Sequence, residues 1–169
     1  DQDALKASKW FYTEGYLVTS DTARVAAIEA RKLAERSGVR TALSLSDPNM
    51  VKFFKDGLKE MIGERVDMVF ANEEEAAAFA GDNDPEAGLA ALSACCETAA
   101  VKLVADGTLL KSGSAGVCHS PALPVDTVVD TTGAGDLWAA GFLYGWLNGC
   151  ELSRCGEQGA ILGAAAVTR

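Results

Sequence analysis

The chain has 169 residues, of which 49% are hydrophobic and 23% charged, so one globular domain with a substantial core is expected and a disordered or fibrous chain is excluded. Its 24 acidic residues outweigh 15 basic ones, for a net charge of −9, and no Lys/Arg cluster occurs, which argues against a nucleic-acid or anionic-membrane surface. Phosphates can still bind such a chain through backbone amides and a few placed cations.

In chain order, the polar start DQDALKASKW carries no secretory leader and no initiator Met, as expected of a trimmed or excerpted chain. Trp10–Val18 is aromatic and β-branched and predicts a strand running into a loop. Trp10 and Tyr12 read as core residues rather than a substrate platform. From Ser20, a cap residue, helix formers and Gly38 predict a helix, and Val39–Leu45 then reads as a buried strand. Asp47-Pro48-Asn49 is a loop signal, followed by a short helix over Val51–Ile62. Arg65–Ala71 predicts a strand, and Asn72 caps a helix that Gly81 ends. A helix over Pro85–Cys96 leads to the strand Ala99–Val104, and Ala105-Asp106-Gly107 turns it back into Thr108–Ser112 as a hairpin. Strand-like stretches around Val117 and Val128 follow, and Ala134–Arg169 reads as two helices. Strand–helix alternation with an antiparallel tail predicts an α/β fold in three layers, α-β-α, with a mostly parallel sheet covered on both faces.

Five cysteines without a CxxC pair, and a single histidine, His119, read as reduced thiols rather than a disulfide framework or a zinc site.

The segment Val128–Phe142, VVDTTGAGDLWAAGF, carries the chemistry. Gly133-Ala134-Gly135 lets successive backbone N–H groups point into one concavity at a helix start, an anion hole favoured by free donors and by the macrodipole. Asp136 shares that turn, where it would repel a bound phosphate. The conflict resolves if the carboxylate faces a hydroxyl about to attack that phosphate and takes its proton. The competing reading is a plain helix-start turn with an N-terminal acid, and spacing alone leaves the two about even. A dinucleotide fingerprint is disfavoured because Trp138 stands where a third glycine is needed, which leaves a Rossmann dehydrogenase a distant third possibility; no Walker-type loop occurs. Leu137–Cys150 is uncharged but too short to span a bilayer, so Gly141, Gly145 and Gly149 point to a tightly packed buried helix rather than membrane helix pairing.

DTTGAGDLWAAGF resembles the C-terminal signature of the ribokinase-like, PfkB-type carbohydrate and nucleoside kinases. The resemblance implies that Asp136 is the catalytic base and that the amides of Gly133, Ala134 and Gly135 form the anion hole. An NxxE element, Asn72-Glu73-Glu74-Glu75, matches the family in order and spacing, and implies that Asn72 and Glu75 help hold Mg2+, its waters and the triphosphate of ATP. Taken alone, Asn72 is a natural helix cap. Asp130 reads as a turn residue, and by resemblance Asp130 and Thr132 could also form a monovalent-cation loop for K+. The family's Gly-rich TxGxxG-like turn is altered here: Lys102 replaces the Thr, Val104 replaces the first Gly, and Gly107 survives. Lys102 and Gly107 are thus the candidate phosphate contacts on the nucleotide side.

The resemblance covers essentially the whole chain and about the C-terminal half of a family member, with the N-terminal portion, its Gly-Gly substrate motif and the lid absent. Residues 1–169 are accordingly expected to form a single ATP-binding and catalytic portion. The implied function is an ATP-dependent transfer of the γ-phosphate to a hydroxymethyl group of a sugar or nucleoside. The phrase YTEGYLVT leans towards the adenosine-kinase-like branch. The alternative is a non-catalytic nucleotide-binding fragment or degenerate paralogue, and this chain alone is expected to be inactive. A cytoplasmic location and a small-molecule partner are expected, without nucleic acid or membrane, and with a homodimer as one option.

Overall fold

The computed structural model describes all 169 residues. Six strands form one sheet in sequential order: β1 (Trp10–Glu14), β2 (Arg40–Ser44), β3 (Val66–Asn72), β4 (Cys96–Lys102), β5 (Thr108–Ser112) and β6 (Cys118–Ser120). β1 to β4 run parallel and β5 and β6 are antiparallel additions. The helices are α1 (Gln2–Ala7), α2 (Asp21–Arg36), α3 (Pro48–Ile62), α4 (Glu73–Ala80), α5 (Pro85–Ser93), α6 (Ala134–Leu147) and α7 (Leu152–Val167).

Sequential parallel strands with same-handed crossovers must place every connecting helix on one face. Side-chain alternation along the strands records this. Leu43, Leu45, Val69, Ala71, Ala99 and Val101 face one core with Val51, Leu58, Phe79 and Leu89 of the connecting helices. Ala42, Met68, Phe70, Ala100 and Leu110 face the other way, onto Trp138, Phe142 and Cys155. α6 and α7 therefore supply the third layer, and the predicted three-layer α/β architecture stands. No helix is long and apolar enough to cross a membrane.

The departures from the sequence reading are local. Residues 2–7 form a short helix, its start held by the Asp1 carboxylate, which accepts the Asp3 and Ala4 N–H groups. Asp47-Pro48 starts α3 rather than preceding it: Asp47 accepts the Asn49 N–H at 2.7 Å, and Pro48 occupies the first turn, where its missing N–H is no loss. Gly15–Thr19 winds into a 3-10 turn after β1. Cys96 opens β4 instead of closing α5, pairing with Val66. The stretch around Val128 is not a strand. Val129 donates its N–H to the Val167 carbonyl at 2.7 Å, so the segment is tied to the end of α7 and not to the sheet. Pro121 and Pro124 upstream lack the N–H groups that a continued ladder would need.

All five cysteines are free thiols; Cys96 is buried, and burial pushes its pKa up to about 12. His119 donates from Nε2 to the Asp106 carbonyl at 2.5 Å, tying the hairpin turn to β6.

α6 and α7 meet through small residues. A Cβ on Gly141 would strike the Gln158 carbonyl of α7, and one on Gly145 would come within 3.3 Å of the Cys155 sulfur. Gly149, at φ 73°, instead turns the chain after α6. Gly141→Ala should therefore lower stability by about 1–3 kcal/mol through overpacking, read as a shifted urea midpoint with unchanged slope.

Candidate active site

The carboxyl ends of the four parallel strands deliver Glu14, Ser44, Asn72 and Lys102 to one edge of the sheet, where open α/β folds place their ligands. Register sets the neighbours: Glu14 lies beside Ser44, and Asn72 beside Lys102.

Asn72 caps α4 in a reciprocal box. Its side-chain oxygen accepts the Glu75 N–H at 2.8 Å, while the Glu75 carboxylate accepts the Asn72 N–H at 2.9 Å and the Asn72 amide at 2.8 Å. Glu75 is only 4% exposed, although it sits in the first turn of a helix. Burial raises its carboxyl pKa, while the Asn72 bond and the Lys102 charge pull it down and Asp47 and Glu14 add to the rise. So the cap reading of Asn72 is correct as local structure, and the buried acid it holds faces the site charges.

The Gly133–Asp136 turn opens α6. Asp130 Oδ1 accepts both the N–H and the hydroxyl of Thr132, at 2.9 and 2.8 Å, which holds Asp130 below the usual carboxylate range. Gly133 takes the left-handed conformation at φ 75°, and its carbonyl accepts the first helical bond, from Leu137. The Ala134 N–H donates to the Thr131 carbonyl at 3.1 Å, which closes the turn and removes that amide from the expected trio. The N–H groups of Gly133, Gly135 and Asp136 make no hydrogen bond within the protein and are the donors left over at the helix start. Of the expected trio, Gly133 and Gly135 keep free N–H groups, and Asp136 adds a third. Asp136 itself is exposed.

Lys102 links the two halves. Its ammonium lies 3.3 Å from where a Cβ on Gly135 would be and 5.9 Å from the Trp138 ring centroid. Burial depresses its pKa, and the charges of Glu75, Asp136 and Glu14 pull it back up. The altered turn after it keeps a glycine-like backbone. Val104, 86% exposed, is held at φ 52°, an unfavourable conformation for a β-branched residue. Gly107 at φ 88° accepts the Leu103 N–H at 2.7 Å, and a side chain there would collide with the Ser120 carbonyl. Gly107 thereby closes the turn.

Sequence reasoning missed Glu14 and Ser46. Ser46, at φ 72°, donates its hydroxyl to Glu14 Oε2 at 2.6 Å and accepts the Gly15 N–H at 2.7 Å. The signal available was an acid at a strand end directly before a glycine, in YTEGY. Tyr12 packs on Phe70, and burial, then Glu14, raises its hydroxyl pKa; Asp136 adds to that rise, which places Tyr12 on the site side of the core.

No three His, Cys, Asp or Glu side chains form a preformed metal cage. Each Glu75 oxygen accepts one N–H and keeps a lone pair. That donor set fits Mg2+ held mainly by phosphates and water, with a carboxylate reaching it through water.

Known proteins resemble this chain in sequence and fold. The family model described as pfkB family carbohydrate kinase matches residues 1–169. The adenosine kinase of Saccharomyces cerevisiae is 28% identical over 180 residues, covering 98% of this chain and 51% of that protein. The cytidine kinase of Thermococcus kodakarensis is 32% identical, over 78% of this chain and 48% of its own length. The crystal structure of adenosine kinase from Sinorhizobium meliloti superposes with a TM-score of 0.92 at 36% identity, covering all of this chain and 52% of that one. The chain spans about half the length of these relatives. It belongs to the pfkB family of carbohydrate kinases, and adenosine kinases are prominent among the proteins it resembles.

Proposed function

We propose that this chain is the ATP-binding and catalytic portion of a kinase that transfers the γ-phosphoryl group of ATP to a hydroxymethyl group of a nucleoside or sugar. The observation that carries this reading is the meeting of Asp136, Lys102 and the Asn72–Glu75 box at one sheet edge. Asp136 accepts the proton of the attacking hydroxyl, as its exposed position at the helix start allows. The free amides of Gly135 and Asp136, with Gly133 beside them, hold charge growing on the transferred oxygens. Glu75 would hold Mg2+ through water, and that ion would supply charge neutralisation between the phosphates. Potassium, in the same reading, sits at the Asp130–Thr132 loop, where Asp130 Oδ2 is uncommitted. Adenosine kinases among the relatives favour a nucleoside as acceptor.

A second reading, nucleotide binding without turnover, applies to the 169-residue polypeptide taken alone, because it matches only about half of each relative. The test is a screen of nucleosides and sugars for MgATP-dependent phosphorylation, on this chain and on a polypeptide of the relatives' full length that contains it. The proposal expects turnover in the longer polypeptide only, with a nucleoside among the acceptors. Nucleotide binding with no acceptor phosphorylated by either would leave the second reading standing.

A further inference from the structure

Lys102 departs from the pattern that the rest of the site follows, and no protein group accepts a hydrogen bond from it. The ammonium has three N–H donors. No carboxylate oxygen lies within 4.0 Å of it, and it donates no hydrogen bond to the protein. Glu75, Asp136 and Glu14 surround it closely enough for their charges to act on it, yet none is in contact. The ammonium stands over the Trp138 ring, 5.9 Å from its centroid, on the side where a Cβ of Gly135 would point. The side chain is half-buried and its ammonium still reaches solvent, with the Trp138 ring face beside it. The platform is rigid: Trp138 stacks on Phe142 at 5.3 Å and meets Phe70 edge-on at 6.0 Å. The stem thus aims a cation at the same concavity as the free amides of Gly135 and Asp136.

We infer that Lys102 distinguishes a nucleoside triphosphate from a diphosphate: its ammonium binds the terminal phosphoryl group where that group lies over the Gly133–Asp136 turn. This rests on the kinase reading above and deepens it. The argument for the terminal group is positional. The Lys102 ammonium lies 3.3 Å from where a Cβ on Gly135, the residue next to the proposed base, would stand, and the phosphoryl that is transferred must lie beside that base. A diphosphate ends one phosphate short of it. With Glu14, Glu75 and Asp136 around the groove, Lys102 is the positive charge that offsets them when a further negative group arrives. The competing role is structural, a lysine that fills space on Trp138 and balances Glu75.

Calorimetric titration of the 169-residue chain with MgATP and MgADP separates the two roles, using Lys102→Met, Lys102→Thr and Lys102→Arg, with circular dichroism to confirm the fold. Methionine keeps the length and packing of the stem and removes only the charge. Loss of a charge-assisted hydrogen bond predicts a drop in MgATP affinity of at least about tenfold in Lys102→Met and Lys102→Thr. MgADP affinity should stay within about twofold, and Lys102→Arg should recover part of the ATP preference. Unchanged MgATP affinity in Lys102→Met, or equal losses for MgATP and MgADP, overturns the inference and leaves the kinase reading intact. Failure of the unsubstituted chain to bind MgATP overturns both.

Discussion

Asp136→Asn, in a polypeptide of the relatives' full length, should lower kcat by about 10²–10⁴-fold, the range for loss of a positioned general base. That is about 3–5.5 kcal/mol of transition-state stabilisation. Asparagine keeps the size and shape of the side chain and the start of α6, but cannot accept the hydroxyl proton. Asp136 is exposed and makes no hydrogen bond or ion pair within the protein, so the folded state should change by no more than about 0.5 kcal/mol. MgATP affinity should hold or rise slightly, because one of the negative charges that Lys102 and Tyr12 experience is gone. The pairing of near-normal binding with collapsed turnover is the signature to look for in steady-state kinetics with the identified acceptor. Turnover within a few-fold of the parent would reduce Asp136 to a helix-start acid and remove the base from the mechanism.

Phe142→Ala should cost about 3–5 kcal/mol of folding stability, a large share of what a domain of this size possesses. Phe142 is fully buried between the sheet and α7. Its ring meets Phe70 edge-on at 5.5 Å and stacks on Trp138 at 5.3 Å and Trp146 at 6.2 Å. Deleting it opens a cavity that these rings, anchored on two different layers, cannot collapse to fill. Phe142→Leu keeps most of the volume and should cost less than about 1.5 kcal/mol. Urea denaturation followed by circular dichroism measures both. Because Trp138 carries the Lys102 ammonium on its face, the alanine variant should also weaken nucleotide binding at temperatures where it is still folded. A loss below about 1 kcal/mol would show that the aromatic cluster is not the seam joining α6 to the sheet.

Much of the site was legible because its chemistry is concentrated in contiguous residues. Asn72 to Glu75 spell a capping box, which fixes backbone and side chains together over four positions. The Gly133–Asp136 run spells a left-handed residue followed by a helix start with an acid. Glu14 and Ser46 were not legible. They are 32 positions apart and meet only because β1 and β2 pair in parallel with Glu14 opposite Ser44. One member of the expected donor set, Ala134, is not free. A run of small residues says that amides can point inward, but only the closed turn shows Ala134 spending its N–H on Thr131.

By itself the sequence determined the fold class and most of the elements. Alternating strands and capped helices point to a mostly parallel sheet, while the sequential strand order that puts α2 to α5 on a single face is seen only in the structure. The sequence also determined which residues are chemically able to act, since carboxylates, a lysine and glycine amides are what phosphoryl transfer uses. The tertiary structure decided which of them meet. The hairpin β5–β6 ends the parallel run and sends the chain to the uncovered face, so that α6 packs Trp138 and Phe142 on Phe70 and brings its N-terminus to the ends of β3 and β4. That juxtaposition sets Lys102 against Gly135 and within the field of Asp136 and Glu75. Local propensity cannot encode it, because it depends on burying the apolar side of α6 against strands some 35–70 residues earlier in the chain.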